Sequence, residues 1–299
     1  MIRSALHAAV ALLLGLVLTL IPVVPAGAAS IAPTSGPVPS PTAPRVIRDL
    51  QYVPDGSPSH RLDVCLPGGR AVVRPAVVVV HGGSFTSGDK GSAGVHTMCL
   101  RLARAGYAAF SMNYRLLPGA AFPDALHDLR SAVRWIRAPA RAARFHVDPD
   151  RVGAFGESAG AVLVAEDGTR GHGSQDRGAR LRAVVGLSTA TTFELDPRSL
   201  TPDARRMALA YLGCETFSHC PAARRASALR YVDRSDPAFL LAASREDWIP
   251  VRSTTEFVAA LRRVHVPVGT VLVNGRAHGM QLLDDRLMRR ILRFYARHL

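Results

Sequence analysis

The stretch Gly156-Glu157-Ser158-Ala159-Gly160 is the feature around which the rest of this chain is organised. It joins an apolar run at residues 151–155 to a helix-compatible run at residues 161–165. A strand must therefore turn into a helix with almost no connecting loop. Only small residues around Ser158 let the two backbones come that close, and the turn lifts the serine hydroxyl above the edge of a sheet. A serine hydroxyl alone is a poor nucleophile. A catalytic reading of Ser158 needs a base, a carboxylate that orients the base and donors for an oxyanion, all brought to the same edge.

The rest of the chain has the alternation that builds such an edge. Residues 46–53 and 61–66 read as two strands parted by the turn-forming Pro54-Asp55-Gly56-Ser57-Pro58, an antiparallel start to a sheet. Residues 76–80 form an unbroken Val-rich run, as in a strand buried on both faces, and end at His81-Gly82-Gly83-Ser84-Phe85. Helical spacing at residues 95–105 closes on Gly106, strand character returns at 107–114, and 123–136 is an amphipathic helix with proline in its first turn. After the serine helix, residues 166–180 read as a loop rich in glycine and charge. Strands are expected at 181–187, 238–243 and 266–273, with helices at 253–264 and 282–298.

Between residues 188 and 237 the alternation breaks into two helical stretches, 202–212 and 221–232, on either side of Cys214 and Cys220. Strands separated by helices imply an α/β fold with a mostly parallel twisted sheet and helices on both faces. The break follows a strand's carboxyl end, where open α/β sheets bind ligands, so residues 188–237 are a candidate helical cap.

The amino terminus predicts export. Arg3 precedes an apolar run at residues 8–20, followed by Ala26-Gly27-Ala28, with small residues where a signal peptidase cuts. Residues 1–28 are read as a signal peptide cleaved near Ala28, residues 29–44 as a proline-rich linker, and residues 45–299 as one catalytic domain. The mature protein is expected to be secreted, with no integral membrane span. In that compartment the four cysteines are expected to pair. Cys214 and Cys220 are near enough to staple a local loop, leaving Cys65 with Cys99, although three connectivities are open. In this pairing, chain entropy gives about 2 kcal/mol for the short loop and about 4 kcal/mol for the long one.

The net charge is +14, and of 37 basic residues only Lys90 is lysine. The arginines are scattered, without stacked aromatics or a zinc-finger pattern, so nucleic acid is not an expected partner. So extreme a preference for arginine is read as compositional bias and not as a functional signal, although a basic surface is compatible with acidic polysaccharide, cell wall or anionic lipid headgroups.

Two residues at other strand ends answer the needs of Ser158. Asp247 follows the strand at 238–243, and His278 follows the strand at 266–273. They lie 31 positions apart, room for one helix and one strand, so they can meet at neighbouring strand ends. The order Ser158, Asp247, His278 is that of an α/β-hydrolase triad. Glu246 is a fallback acid. The glycines after residues 76–80 let main-chain N–H groups approach a substrate oxygen, so the N–H groups of Gly83, Ser84 and Ala159 are the expected oxyanion donors. His81 is expected to brace that loop. Phe85, Leu116, Phe193, Trp248 and Met280 are candidate pocket residues. No metal or cofactor is expected.

His81-Gly82-Gly83 with Ser87-Gly88-Asp89-Lys90, Asn113-Tyr114-Arg115-Leu116, Phe122-Pro123 through Trp135, Asp148-Pro149 and Gly156-Glu157-Ser158-Ala159-Gly160 together resemble the α/β-hydrolase carboxylesterases. The resemblance is to the hormone-sensitive-lipase-like group and to bacterial feruloyl and acetyl xylan esterase-like enzymes, and covers the chain from about Leu62 onward. It implies a serine hydrolase of carboxylic esters, small or linked to a polysaccharide, with the triad on Ser158, Asp247 and His278. It also implies a supporting Arg115–Asp128 ion pair. Ser84 stands where many members have a third glycine, which keeps the N–H but narrows the pocket entrance. A prolyl-oligopeptidase-type peptidase, a formamidase and a non-catalytic binder on a hydrolase scaffold are the competing readings. The first would be expected to carry a large propeller domain, the second to act on an intracellular metabolite, and the third to have lost a triad member.

Overall fold

The computed structural model describes residues 43–299, so the expected signal peptide and the linker up to residue 42 lie outside the described residues. Eight strands form one sheet: β1 (Arg45–Gln51), β2 (Arg61–Leu66), β3 (Arg74–Val80), β4 (Ala108–Met112), β5 (Val147–Glu157), β6 (Ala183–Leu187), β7 (Ala238–Ser244) and β8 (Val268–Val273). Their order is β1-β2-β4-β3-β5-β6-β7-β8, and the sheet has an antiparallel start and a parallel remainder. This is an α/β-hydrolase fold. Val77 to Val80 are fully buried, as a strand with helices over both faces requires.

Helices α1 (Ala93–Arg104) and α8 (Asp285–His298) cover one face, where Met98, Leu102, Ile291 and Tyr295 pack on Val77, Val79 and Phe155. Helices α2 (Asp124–Arg137), α3 (Pro139–Phe145), α4 (Ala159–Gly168) and α7 (Val251–Arg263) cover the other, with Leu129, Val133, Leu163 and Phe257 in the larger core. The short helix α3 was not expected from the sequence. It is preceded by Ala138 in extended conformation and starts on Pro139, whose fixed φ suits a first helical turn.

The interruption at residues 188–237 contains α5 (Pro202–Leu212) and α6 (Pro221–Ala226). Thr201 caps α5 by accepting the Ala204 N–H, and Gly213 ends it in left-handed conformation. The helix expected to run from 221 to 232 instead stops at Ala226. There the Ser227 hydroxyl donates to the Ala223 carbonyl (2.7 Å) and accepts the Phe193 N–H (2.9 Å), and a separate 3-10 turn follows at Ala228–Tyr231. Disulfides join Cys65 to Cys99, between β2 and α1, and Cys214 to Cys220, between α5 and α6. Among the described residues no helix is long and apolar enough to cross a membrane, and no cluster of three or more candidate metal ligands occurs.

Just before the chain re-enters the sheet at β7, Asp236 is buried, with one carboxylate oxygen accepting the Asp233 N–H at 3.0 Å. Burial, reinforced by the neighbouring Asp233 charge, pushes its pKa up to about 7. The protonated acid is the form the fold prefers. Its contribution to stability is complete below the unfolded carboxyl value of about 3.9 and is lost as pH rises through about 7. Asp236→Asn keeps an acceptor for the Asp233 N–H and should flatten the fall of Tm between about pH 5 and pH 8. At the alkaline end the variant should melt roughly 2–4 °C above the parent, read by thermal denaturation across the pH series.

Candidate active site

The site is assembled at the carboxyl ends of β3, β5, β6, β7 and β8. Ser158 sits between β5 and α4 with φ 52° and ψ −119°, a conformation disfavoured for a residue with a side chain. Its N–H donates to the Leu187 carbonyl at the end of β6 (2.8 Å), which ties the turn to the sheet. A Cβ on Gly156 would overlap the Gly160 carbonyl, and one on Gly160 would overlap the Val80 and His81 carbonyls. Both glycines are required by close packing, with β3 as the surface pressed against.

The three residues singled out from other strand ends lie in one hydrogen-bonded line. His278 Nε2 is 2.8 Å from Ser158 Oγ, and Nδ1 is 2.8 and 3.1 Å from the two Asp247 carboxylate oxygens. Burial raises the Asp247 pKa, but hydrogen bonds from His278 and Ser188, with the His278 charge, outweigh it and hold the carboxyl below its usual value. Trp248 lies beside the imidazole, ring centroids 5.0 Å apart. Glu246 is outside this line, and its carboxylate lies 4.0 Å from Arg276 Nε.

Two functional neighbours escaped the sequence reading. Ser188, first residue after β6, donates its hydroxyl to Asp247 Oδ2 (2.6 Å) and accepts the Gly279 N–H (3.0 Å), linking the acid to the loop that carries His278. Its position as a polar residue directly after a buried strand was the available signal. Glu157, next to the nucleophile, accepts the Gly82 N–H at 2.6 Å. Its carboxylate fills the space where a Cβ on either Gly82 or Gly279 would fall, so it wedges between the glycine loop after β3 and the His278 loop. Burial raises its pKa, opposed by the N–H groups of Gly82 and Met280 and by the charge of His278.

The glycine loop makes successive left-handed turns at Gly83, Ser84 and Phe85. The Gly83 carbonyl accepts the N–H groups of Thr86 and Ser87 (3.0 Å each), folding the loop on itself. The N–H groups of Gly83 and Ser84 have no acceptor among the described residues, and Ala159 N–H is an orphan donor of the first turn of α4. His81 makes no hydrogen bond to Ser158 or His278. Its ring stacks on Tyr114 (4.3 Å), and the Tyr114 hydroxyl donates to its carbonyl (2.9 Å). Burial keeps its pKa below the ordinary histidine value. Arg115 makes a bidentate pair with the buried Asp128, and its Nη2 lies 2.8 Å from Oδ1.

Beside Ser158 opens a cleft lined by apolar and hydroxyl side chains with no ionised group among them. Phe85, Phe193 and Trp248 line it together with Ser84 and Ala159. Leu116 and Met280, expected there, do not. Leu116 packs against the larger core, and Met280 packs against the smaller core beside Gly94 of α1.

This geometry can be set beside known proteins. The model of the BD-FAE family matches residues 62–261. The chain belongs to the BD-FAE family. Its relatives include Esterase LipC of Mycobacterium tuberculosis, 30% identical over 223 residues, 70% of this chain and 54% of LipC. Probable carboxylic ester hydrolase LipM of the same organism is 27% identical over 72% of this chain and 52% of LipM. The chain thus spans about half the length of these relatives. Among solved structures, a truncated carbohydrate esterase from gut microbiota superposes with a TM-score of 0.74 at 20% identity, over 86% of this chain and 97% of that one. At that identity the likeness shows the shared fold.

For this BD-FAE member, the Glu157 wedge has a measurable consequence. Its raised pKa means the carboxylate beside His278 forms only as pH rises beyond the usual carboxyl range of about 4.3. Glu157→Gln keeps an acceptor for Gly82 but removes the titrating group, and should lessen the fall of Tm as pH rises above the ordinary carboxyl range. Thermal denaturation of both proteins across a pH series reads the difference.

Proposed function

We propose that the protein is a secreted serine esterase that cleaves neutral carboxylic esters with short acyl chains through an acyl-enzyme. The observation that carries this reading is the line from Ser158 through His278 to Asp247 at the mouth of an apolar cleft. Asp247 holds His278 with Nδ1 protonated, so Nε2 is free to take the Ser158 proton as Oγ attacks the ester carbonyl. The carbonyl oxygen gains the charge, and the N–H groups of Gly83, Ser84 and Ala159 are the donors assigned to it. His278 then returns the proton to the departing alkoxide, which leaves as alcohol. Water, deprotonated by His278, attacks the acyl group, and Ser158 leaves with the proton restored.

The names of the relatives support ester hydrolysis, and the cleft favours a neutral ester because nothing in its lining pairs with a charged peptide terminus. Export is supported by the amino-terminal pattern at residues 1–28 and by two disulfides, which persist in oxidising compartments.

Ser158→Ala should lower turnover of a chromogenic acetate ester by about 10⁴-fold or more and abolish labelling by a fluorophosphonate probe. Retained turnover in that variant would remove Ser158 from the mechanism. A panel of acetyl, butyryl, longer acyl and feruloyl esters, run beside acetylated xylan, tests the acyl preference, and highest activity on long chains would contradict the short-chain reading.

A further inference from the structure

The wall of the cleft opposite the catalytic strand ends comes from the 188–237 insertion, through Leu195, Leu200, Met207, Ala208 and Phe217. Four of these lie on or just before α5. Phe217 is different, because it lies in the loop between the two cysteines, Cys214-Glu215-Thr216-Phe217-Ser218-His219-Cys220. Glu215, Thr216, Ser218 and His219 are all exposed, and Phe217 alone of the five turns inward, against the main core and into the cleft.

Among the described residues, no hydrogen bond or ion pair ties residues 215–219 to the rest of the chain, and their hydrogen bond is internal, between the hydroxyls of Thr216 and Ser218 (3.2 Å). At one end Gly213 terminates α5 in a left-handed turn and the Cys214 N–H donates to the Leu209 carbonyl (3.0 Å). At the other end Cys220 begins α6. The disulfide joins these ends across a separation of six residues. Without it, a short polar segment with one half-buried aromatic would have few restraints on where that aromatic sits.

We propose that Phe217 is a specificity-determining residue, limiting the apolar chain accepted beside Ser158, and that the Cys214–Cys220 disulfide keeps it in the cleft wall. This rests on the ester-hydrolase reading of the site. In the disulfide form the wall is closed and short chains are favoured. With the loop open, Phe217 withdraws and longer chains gain apolar burial. Each accepted methylene is worth several-fold in rate, so two or more shift the preference by about tenfold.

The cysteine pairs differ in access, which makes the test selective. Cys65 and Cys99 are fully buried, whereas Cys214 is partly exposed. Dithiothreitol under mild conditions should reduce the Cys214–Cys220 bond first, giving two thiols and one oxidised dithiothreitol, as alkylation and mass mapping would verify. The readout is the ratio of kcat/KM on a p-nitrophenyl octanoate to that on the acetate. It is measured for the parent, the selectively reduced parent, Phe217→Ala and the double variant Cys214→Ser/Cys220→Ser. Ser158 labelling by a fluorophosphonate is scored in each sample to confirm a folded site.

The expected result is a rise in the ratio of about tenfold in Phe217→Ala, with a rise in the same direction on reduction or in the double variant. An unchanged ratio in a fully labelled Phe217→Ala protein overturns the role of Phe217. A raised ratio in Phe217→Ala with none in labelled, reduced protein overturns the role of the disulfide. Failure of the parent to turn over either ester would instead refute the ester-hydrolase reading itself.

Discussion

A methyl group on Gly160 would overlap the carbonyl oxygens of Val80 and His81, and one on Gly156 would overlap the carbonyl of Gly160. This contact between the nucleophile turn and the end of β3 sets the position of almost everything else in the site. It brings α4 against the sheet so closely that Ser158 is held in a left-handed conformation. The cost of that conformation is offset by the Ser158 N–H bond to Leu187 and by the buried face of α4. Because β3 is the strand pressed against, the loop leaving β3 is the one that must lie beside the serine. Glycines at 82 and 83 are what allow it to fold back there, Gly82 against the Glu157 carboxylate and Gly83 against the Ser87 carbonyl.

That loop is fastened at its far end by charge. Lys90 reaches Asp49 (2.9 Å) and Asp63 (3.0 Å), its N–H donates to the Asn113 side chain (2.6 Å), and its carbonyl accepts the Ser111 hydroxyl (2.7 Å). Asp63 is fully buried on β2 and is also reached by the half-exposed Arg48 at 3.3 Å, so removing Lys90 would leave that buried carboxylate with Arg48 as its remaining cationic partner among the described residues. A chain whose other basic residues are all arginine keeps its lysine here, where a compact ammonium meets two carboxylates in a confined space. The fastening joins the hairpin of β1 and β2 to the glycine loop. This is how the antiparallel start of the sheet, remote from Ser158 in sequence, helps define the site.

Much of this was legible because the chemistry sits at strand ends, and strand ends are visible as the places where apolar runs stop. Ser158, Asp247 and His278 each follow such a run, and their order and spacing are sequence properties. The pairing of Cys65 with Cys99 followed only from the short separation of the other pair. Glu157 and Ser188 were not read because their importance is a matter of partners. Glu157 matters through Gly82 and Gly279, and Ser188 through Asp247 and Gly279, contacts between residues far apart in the chain. Leu116 and Met280 were misplaced for a related reason. Apolarity and a nearby motif mark a residue as buried, but not which of two cores on opposite faces of a sheet receives it. The helix expected across residue 227 was broken by Ser227, whose hydroxyl exchanges continuation of the helix for a bond to Phe193 in a distant segment.

The insertion above the cleft is unevenly secured, and this follows from where its polar groups are satisfied. At the end of α5, Tyr211 is buried and its hydroxyl lies 3.1 and 3.0 Å from the two carboxyl oxygens of Glu166 on α4. Burial raises the Glu166 pKa well above its ordinary value, and the Tyr211 hydroxyl gives the buried carboxyl group a hydrogen-bond partner. The same tyrosine ring stacks on Phe85 of the glycine loop, centroids 3.8 Å apart, and its carbonyl accepts the Phe122 N–H at 2.7 Å. One residue of the insertion therefore touches the nucleophile helix, the loop after β3 and the entry to α2. The carboxyl end of α5 is fixed to the same layer that positions Ser158. Only a few residues later the chain loses these partners, and from Glu215 to His219 the disulfide takes over the restraint. The part of the cleft wall nearest Tyr211 thus shares the rigidity of the catalytic layer, while the part carried by Phe217 depends on a covalent closure.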